Sequence, residues 1–237
     1  MNEAEFDKLV FGRRSVRAFT NTPVSRATIE KVLAAARTAP SGANLQPGSF
    51  VVLTGDALAR FSDTLCGAID GGLEVTDQYS YFPDPMPKYL RQRQVKVGAA
   101  LYDSLGIDRK DESARHTQFL KNYQFFGAPV GIVATIDRRM GKGCFMDFGM
   151  MLQTVFLAAR AHGLACCGIG ALAHFGPFIE EYLTLDGHDM VVCGIALGVE
   201  DTSAPVNTLR TERLSVDQFV RFDGWSDGGT AGASDGD

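Results

Sequence analysis

Four residues in a run of five carry the first chemical signal in this chain: Arg13, Arg14, Ser15 and Arg17, within "GRRSVRAFTNTPV". Three guanidinium forks and a hydroxyl can donate many hydrogen bonds to a phosphate, and each fork matches two of its oxygens at once. A phosphate monoester, with a charge of about −1.5 to −2 near neutral pH, would neutralise them. On charge alone, the same arginines are equally compatible with solvation or with pairing to Asp and Glu. A second polar group lies in "APSGANLQPGSF", Ala39–Phe50. There Ser41, Asn44 and Gln46 supply donors and acceptors suited to the edge of a heteroaromatic ring, and Gly42 lets the backbone come close. Taken alone, that stretch reads as a polar turn.

Other chemistry-bearing residues point away from side-chain catalysis. His116, His162, His174 and His188 have no motif around them and read as surface or helix-end residues rather than general bases. Cys166 and Cys167, adjacent in apolar strand-like text, read as small core residues rather than a redox pair. Five cysteines without a CxxC pair or His-rich spacing fit a reduced cytoplasm and leave no metal ligand set. Tyr79, Tyr81 and Phe82, with Tyr123 and Phe125 further on, are candidates to line a slot for an aromatic substrate, while Phe126 is the one that reads better as core.

Elements must position these groups. The chain has 237 residues, 45% hydrophobic and 22% charged, enough for one substantial core and one domain over residues 1–222. Its net charge of −5 argues against an extended nucleic-acid surface, so the arginine cluster suits a small anion. The acidic N-terminus does not resemble a leader. The longest apolar run, Phe148 to Ala159, is shorter than the roughly 20 residues a membrane span takes. Apolar spacing predicts helices over Glu3–Gly12 and Ile29–Ala39, the second stopping at Pro40. Short β-branched runs predict strands at Ser49–Gly55, Ala128–Asp137 and Met190–Asp201. Asp147–His162, opening on a capping acid and apolar around most of its circumference, predicts a core helix. Residues 70–124, with three prolines and then charged helical text, read as a lid-like excursion, and residues 223–237 as a disordered tail.

Taken together, R-R-S-x-R followed by P-S-G-x-N-x-Q-P resembles the signature of the FMN-dependent nitroreductase family, in particular its bacterial nitroaromatic and nitrobenzoate reductases. The resemblance extends through "NYQFFGAPVGIV", "DFGMMLQTVFLAARAHGL" and "VNTLRTERLSVDQFV", roughly residues 5 to 222. It implies an α+β fold, a mostly antiparallel sheet wrapped by helices, and an intertwined homodimer with FMN at the interface. It assigns Arg13, Arg14, Ser15 and Arg17 to the phosphate and ribityl chain, with Arg213, and more weakly Arg210, completing the phosphate site. The turn of Pro40, Ser41, Gly42, Asn44 and Gln46 would reach across the interface to the isoalloxazine ring. The "CCGIGAL" loop would present the backbones of Cys167, Gly168, Ile169 and Gly170 to the flavin.

The activity implied is a ping-pong cycle in which NADH or NADPH reduces the flavin and a small nitroaromatic reoxidises it, with no catalytic side chain. The same fold also hosts reductive dehalogenases, quinone or enone reductases and enzymes that break down the flavin itself. A non-catalytic flavin redox sensor and a binder of some other phosphorylated metabolite are the rivals of other classes. Two departures from the family pattern stand out. Gly48 occupies the place of a usual Trp after Gln46-Pro47, which predicts a larger or looser pocket, and residues 168–170 carry no acid, so only backbone donation transfers.

Overall fold

The structure, a computed structural model, describes residues 2–224; the tail expected over residues 223–237 lies, from residue 225 onward, outside the described residues. The chain opens with α1 (Glu3–Phe11), started by a capping box between Asn2 and Glu5. Helix α2 (Arg26–Ala36) follows, capped by the Ser25 side chain accepting from the Thr28 N–H. It buries Ile29, Val32 and Ala36, and it ends before the expected Ala39 because the chain must leave helical geometry ahead of Pro40.

Strand β1 (Ser49–Thr54) leads directly into α3 (Gly55–Asp70), a helix the sequence reading passed over, which buries Leu58, Phe61, Leu65 and Cys66. The excursion contains α4 (Lys88–Ser104), none of whose residues is buried, and α5 (Glu112–Leu120). Then come β2 (Val130–Asp137), α6 (Lys142–Ala161), β3 (Ala165–Ile169), α7 (Gly176–Tyr182), β4 (Asp189–Gly198) and the single turn α8 (Val216–Phe219).

The four strands form one antiparallel sheet in the order β1-β2-β4-β3, giving an α+β fold. Alternation along β2 divides the core in two. Ile132, Ala134 and Ile136 face α2 and α6, while Val133 faces α3, α7 and the turn after β3. The central strands β2 and β4 are covered on both faces and therefore read as continuous apolar runs.

Helix α6 corrects the sequence expectation in two ways. It begins at Lys142, and Asp147 is no cap but sits inside the helix, where its Oδ2 accepts the N–H of Gly42 at 3.0 Å. Only one stripe, Phe148, Met151, Val155 and Ala159, is buried, while Met146 remains 70% and Met150 41% exposed. Cys144, Phe145, Leu152 and Phe156 are partly buried against the same core, so Met146 and Met150 are the large apolar side chains of this helix left exposed within one chain.

Candidate active site

The arginine segment leaves α1 and runs along the free edge of β3. Val16 donates its N–H to the Cys166 carbonyl at 3.0 Å, forming a short parallel bridge between Ser15 and Cys166. Residue alternation buries Val16 and turns its neighbours outward. On the other side, the chain after β4 returns along the same end, fixed by Asn207, whose Oδ1 accepts the Arg17 N–H at 2.8 Å. The Asn207 amide donates to the carbonyls of Ala18 and Asp201, both at 2.8 Å. This buried amide ties residues 17–18 to the segment that carries Arg210 and Arg213.

The result is a cavity of about 350 Å³ lined by Arg13, Arg14, Ser15, Arg17, Arg210 and Arg213, with Val10, Phe11, Gln153, Leu209 and Thr211. Two segments nearly two hundred residues apart in sequence thus converge five guanidinium groups, and no acid lines the cavity. Arg210 and Arg213 each donate through Nη1 to carbonyls of their own loop, which sets their direction. Arg14 differs: its Nη2 pairs with Glu200, which lines the neighbouring hollow, and its buried Nε has no hydrogen-bond partner among the described residues. Gln153 was not singled out as a site residue from sequence; an amide in the middle of an otherwise apolar helix was the available signal.

The residues expected as a loop, Cys167 to Ile169, instead form the end of β3, paired with β4 through Cys167↔Ala196, Gly168↔Ile195 and Ile169↔Gly194. Cys167 and Ile169 turn their side chains into the core, while Gly168 is exposed. Burial pushes the Cys166 thiol up to about 12, and it also raises that of Cys167 against the opposing pull of Arg17 and Ser15. Neither is a thiolate near neutral pH.

Beyond Ile169 the chain turns at Gly170, where a Cβ would lie 3.2 Å from the Tyr81 ring. The excursion is docked here by Thr76 N–H to the His174 carbonyl at 2.8 Å and by Tyr79, whose hydroxyl donates to the Val192 carbonyl at 2.7 Å. Burial drives the Tyr79 phenol well above its ordinary range, so it stays a donor. Tyr81 and Phe82 meet edge to face at 4.8 Å and remain 64% and 52% exposed above the turn.

Tyr123 and Phe125, expected at the substrate slot, are not there. Both have no exposed surface and belong to the core beneath α3 and α7, with the Tyr123 ring packed on Phe175 at 5.3 Å. Phe126 joins the same core.

The Pro40–Gln46 turn is also apart from the arginine cavity, none of whose lining residues it supplies. It is stiff rather than loose. Ala43, Asn44 and Gln46 all hold positive φ, at 49°, 56° and 49°. Such strain persists only where surroundings enforce it. The bracing comes from Asp147 on Gly42, from Ser41 Oγ accepting the Gln46 N–H at 2.9 Å, and from Arg37, which donates to the Gln46 and Gly48 carbonyls at 3.0 and 3.1 Å. Gly48 does not open a larger pocket, because the Phe148 ring fills the space: a Cβ there would lie 2.2 Å from Phe148, and φ is +90°.

Fold and site together define a protein that presents a cationic cavity at the edge of an antiparallel sheet, next to a glycine-bearing strand end with exposed aromatic rings above it. The chain belongs to the nitroreductase family, whose family model matches residues 10–199. It is 39% identical over 221 residues to 4-nitrobenzoate reductase of Pseudomonas putida, covering 93% of this chain and 96% of that protein. It is 35% identical over 219 residues to chloronitrobenzene nitroreductase of Comamonas testosteroni, covering 91% and 96%. The crystal structure of FMN and NADPH-dependent nitroreductase NfnB from Sphigopyxis sp. strain HMH superimposes with a TM-score of 0.89 at 37% identity, over 95% of this chain and 100% of that one.

Proposed function

We propose that this protein is an FMN-dependent oxidoreductase that takes hydride from NADH or NADPH and reduces nitroaromatic compounds to nitroso and hydroxylamino products, working as a homodimer. The observation that carries the reading is the acid-free cavity in which Arg13, Arg14, Arg17, Arg210, Arg213 and Ser15 meet. Its volume of about 350 Å³ lies within the usual range for small-ligand sites. The buried, unpartnered Nε of Arg14 marks a donor still in want of an acceptor. These residues fit a phosphate monoester, and bound FMN would supply the hydride chemistry.

This chain's own groups bind and orient. The five arginines and Ser15 hold the phosphate. Gly168 and Gly170, whose missing Cβ atoms leave room for the rings of Phe156 and Tyr81, bring backbone to the strand end beside the flavin ring, where backbone donors stabilise negative charge as it develops. Tyr81 and Phe82 offer aromatic faces to a flat substrate, and Tyr79 anchors the segment that carries them.

Two features support the homodimer. The turn of Pro40, Ser41, Gly42, Asn44 and Gln46, strained at Asn44 and Gln46, supplies no lining residue to the arginine cavity of its own chain, consistent with a ligand held mainly by a second copy. The exposed Met146 and Met150 of α6 offer an apolar surface on which that copy would pack. Five free cysteines fit a reducing, cytoplasmic setting.

The test is an absorbance spectrum of the purified protein, followed anaerobically by NADPH or NADH and then by 4-nitrobenzoate. Flavin bands that bleach with the nucleotide and return over many turnovers with the nitroarene are expected. A colourless protein that takes up no FMN overturns the reading, and bleaching without turnover would indicate a sensor.

A further inference from the structure

Glu200 lies just beyond the end of β4 and pairs with Arg14, one of the five guanidinium groups of the arginine cavity. It lines no part of that cavity. Arg14 lines both the cavity and the neighbouring hollow in which Glu200 sits, so the carboxylate reaches it from outside the cavity. Lys8 and Arg160 share a further hollow with Glu200, yet among the described residues its ion pair is with Arg14.

Both members of the pair hang from fixed backbone. Beside Glu200, Thr20 donates its N–H to the Val199 carbonyl at 2.9 Å and Asp201 donates to the Ala18 carbonyl at 3.1 Å, with Phe19 bridged to Glu200 between them. Beside Arg14, Ser15 is bridged to Cys166. The two side chains are only 24% and 17% exposed, so solvent and salt screen the contact less than at an open surface.

On charge grounds alone, an acid is out of place here. An anion site gains from each positive charge, and a carboxylate against one of its arginines subtracts from the field. What the pair supplies is order. A free arginine gives up much rotamer freedom when it grips a ligand, whereas one already held has little left to lose. Glu200 accepts from Nη2 and leaves the buried Nε without a hydrogen-bond partner among the described residues.

We infer that Glu200 is a positioning residue for the anion site, holding the Arg14 guanidinium in place before the phosphate arrives so that its other N–H donors are ready for it. This role rests on the proposed binding of FMN and adds a residue outside the cavity that sets the affinity for its phosphate.

The experiment measures FMN and riboflavin affinities by fluorescence titration of the full chain, for the wild type, Glu200→Ala, Glu200→Gln, Arg14→Ala and the Arg14→Ala, Glu200→Ala double variant. Charge alone requires Glu200→Ala to bind FMN more tightly. Positioning requires a loss, expected at about five- to tenfold, with riboflavin affinity held within about twofold. Glu200→Gln keeps an acceptor for Nη2 without the charge and should fall between wild type and Glu200→Ala. In the Arg14→Ala background, Glu200→Ala should lose nothing further, because it acts through the missing guanidinium. A general loosening of the fold would weaken FMN and riboflavin alike and in both backgrounds. FMN affinity that is unchanged or higher in Glu200→Ala, or in Glu200→Gln should the alanine variant not fold, overturns the inference, as does an equal loss in the Arg14→Ala background or for riboflavin. A wild type that binds FMN no better than riboflavin overturns the phosphate assignment and this role with it. Coupling between Glu200 and Arg14 in a protein that reduces no nitroarene overturns the proposed substrate and leaves Glu200 in place.

Discussion

At the residue scale, the arginines converge because Val16 pairs with β3 and Asn207 staples the returning chain to residues 17 and 18. Arg13→Ala and Arg17→Ala are each expected to weaken FMN binding by about 10- to 100-fold, the loss of a charge-assisted pair, as read by fluorescence titration. Riboflavin, lacking the phosphate, should bind both variants as it binds the wild type. Gly48→Ala must set a Cβ against Phe148 at positive φ, and a loss of about 2–4 kcal/mol is expected by denaturant titration. The thiols give a pH signature. Burial raises Cys66 to about 11 and Cys166 and Cys193 to about 12, all from 9.0. The unfolded chain therefore releases these protons first, so stability is full below about pH 9 and falls as pH rises toward those values. A denaturation midpoint that holds or climbs between pH 9 and 11 would contradict this. Part of the proposed site was visible in sequence as residue types at close spacing, Arg13 to Arg17, while Arg210 and Arg213 were indicated only by the family resemblance. Tyr123 and Phe125 were misplaced because an aromatic residue lining a slot and one filling a core look alike until burial is known.

At the element scale, β1, β2 and β4 were legible from their β-branched runs and α2 from its apolar spacing and proline stop, whereas β3, built of small residues and two cysteines, reads as a loop in the sequence. Helix α6 was legible but misdated by five residues: Asp147 looks like a cap, yet its carboxylate serves Gly42, more than a hundred residues earlier. No local pattern encodes such a partner. Helix α3 escaped notice because it follows β1 without a break and has small and charged residues between its buried positions. Asp147→Ala should release the Gly42 N–H and cost about 1 kcal/mol, with Tm lower by ~2–4 °C. If the turn serves a second copy's ligand, flavin affinity should fall as well, although Asp147 lines no part of the arginine cavity.

At the scale of the whole molecule, one chain leaves Met146 and Met150 of α6 exposed and a strained turn apart from its own arginine cavity. Sedimentation should give a particle of about twice the 25.6 kDa chain mass. Met146→Lys with Met150→Lys should shift it toward the single chain and release flavin in parallel. Composition carried no trace of this, since an apolar stripe reads the same whether its own chain or a second copy covers it. The arginine cavity has a consequence for the life history of the molecule. Its two walls are nearly two hundred residues apart, so a nascent chain on the ribosome cannot assemble it until Arg213 has emerged. Cofactor loading must then wait for the second wall. A ligand seated there works as a buckle, fastening the segment after α1 to the segment after β4.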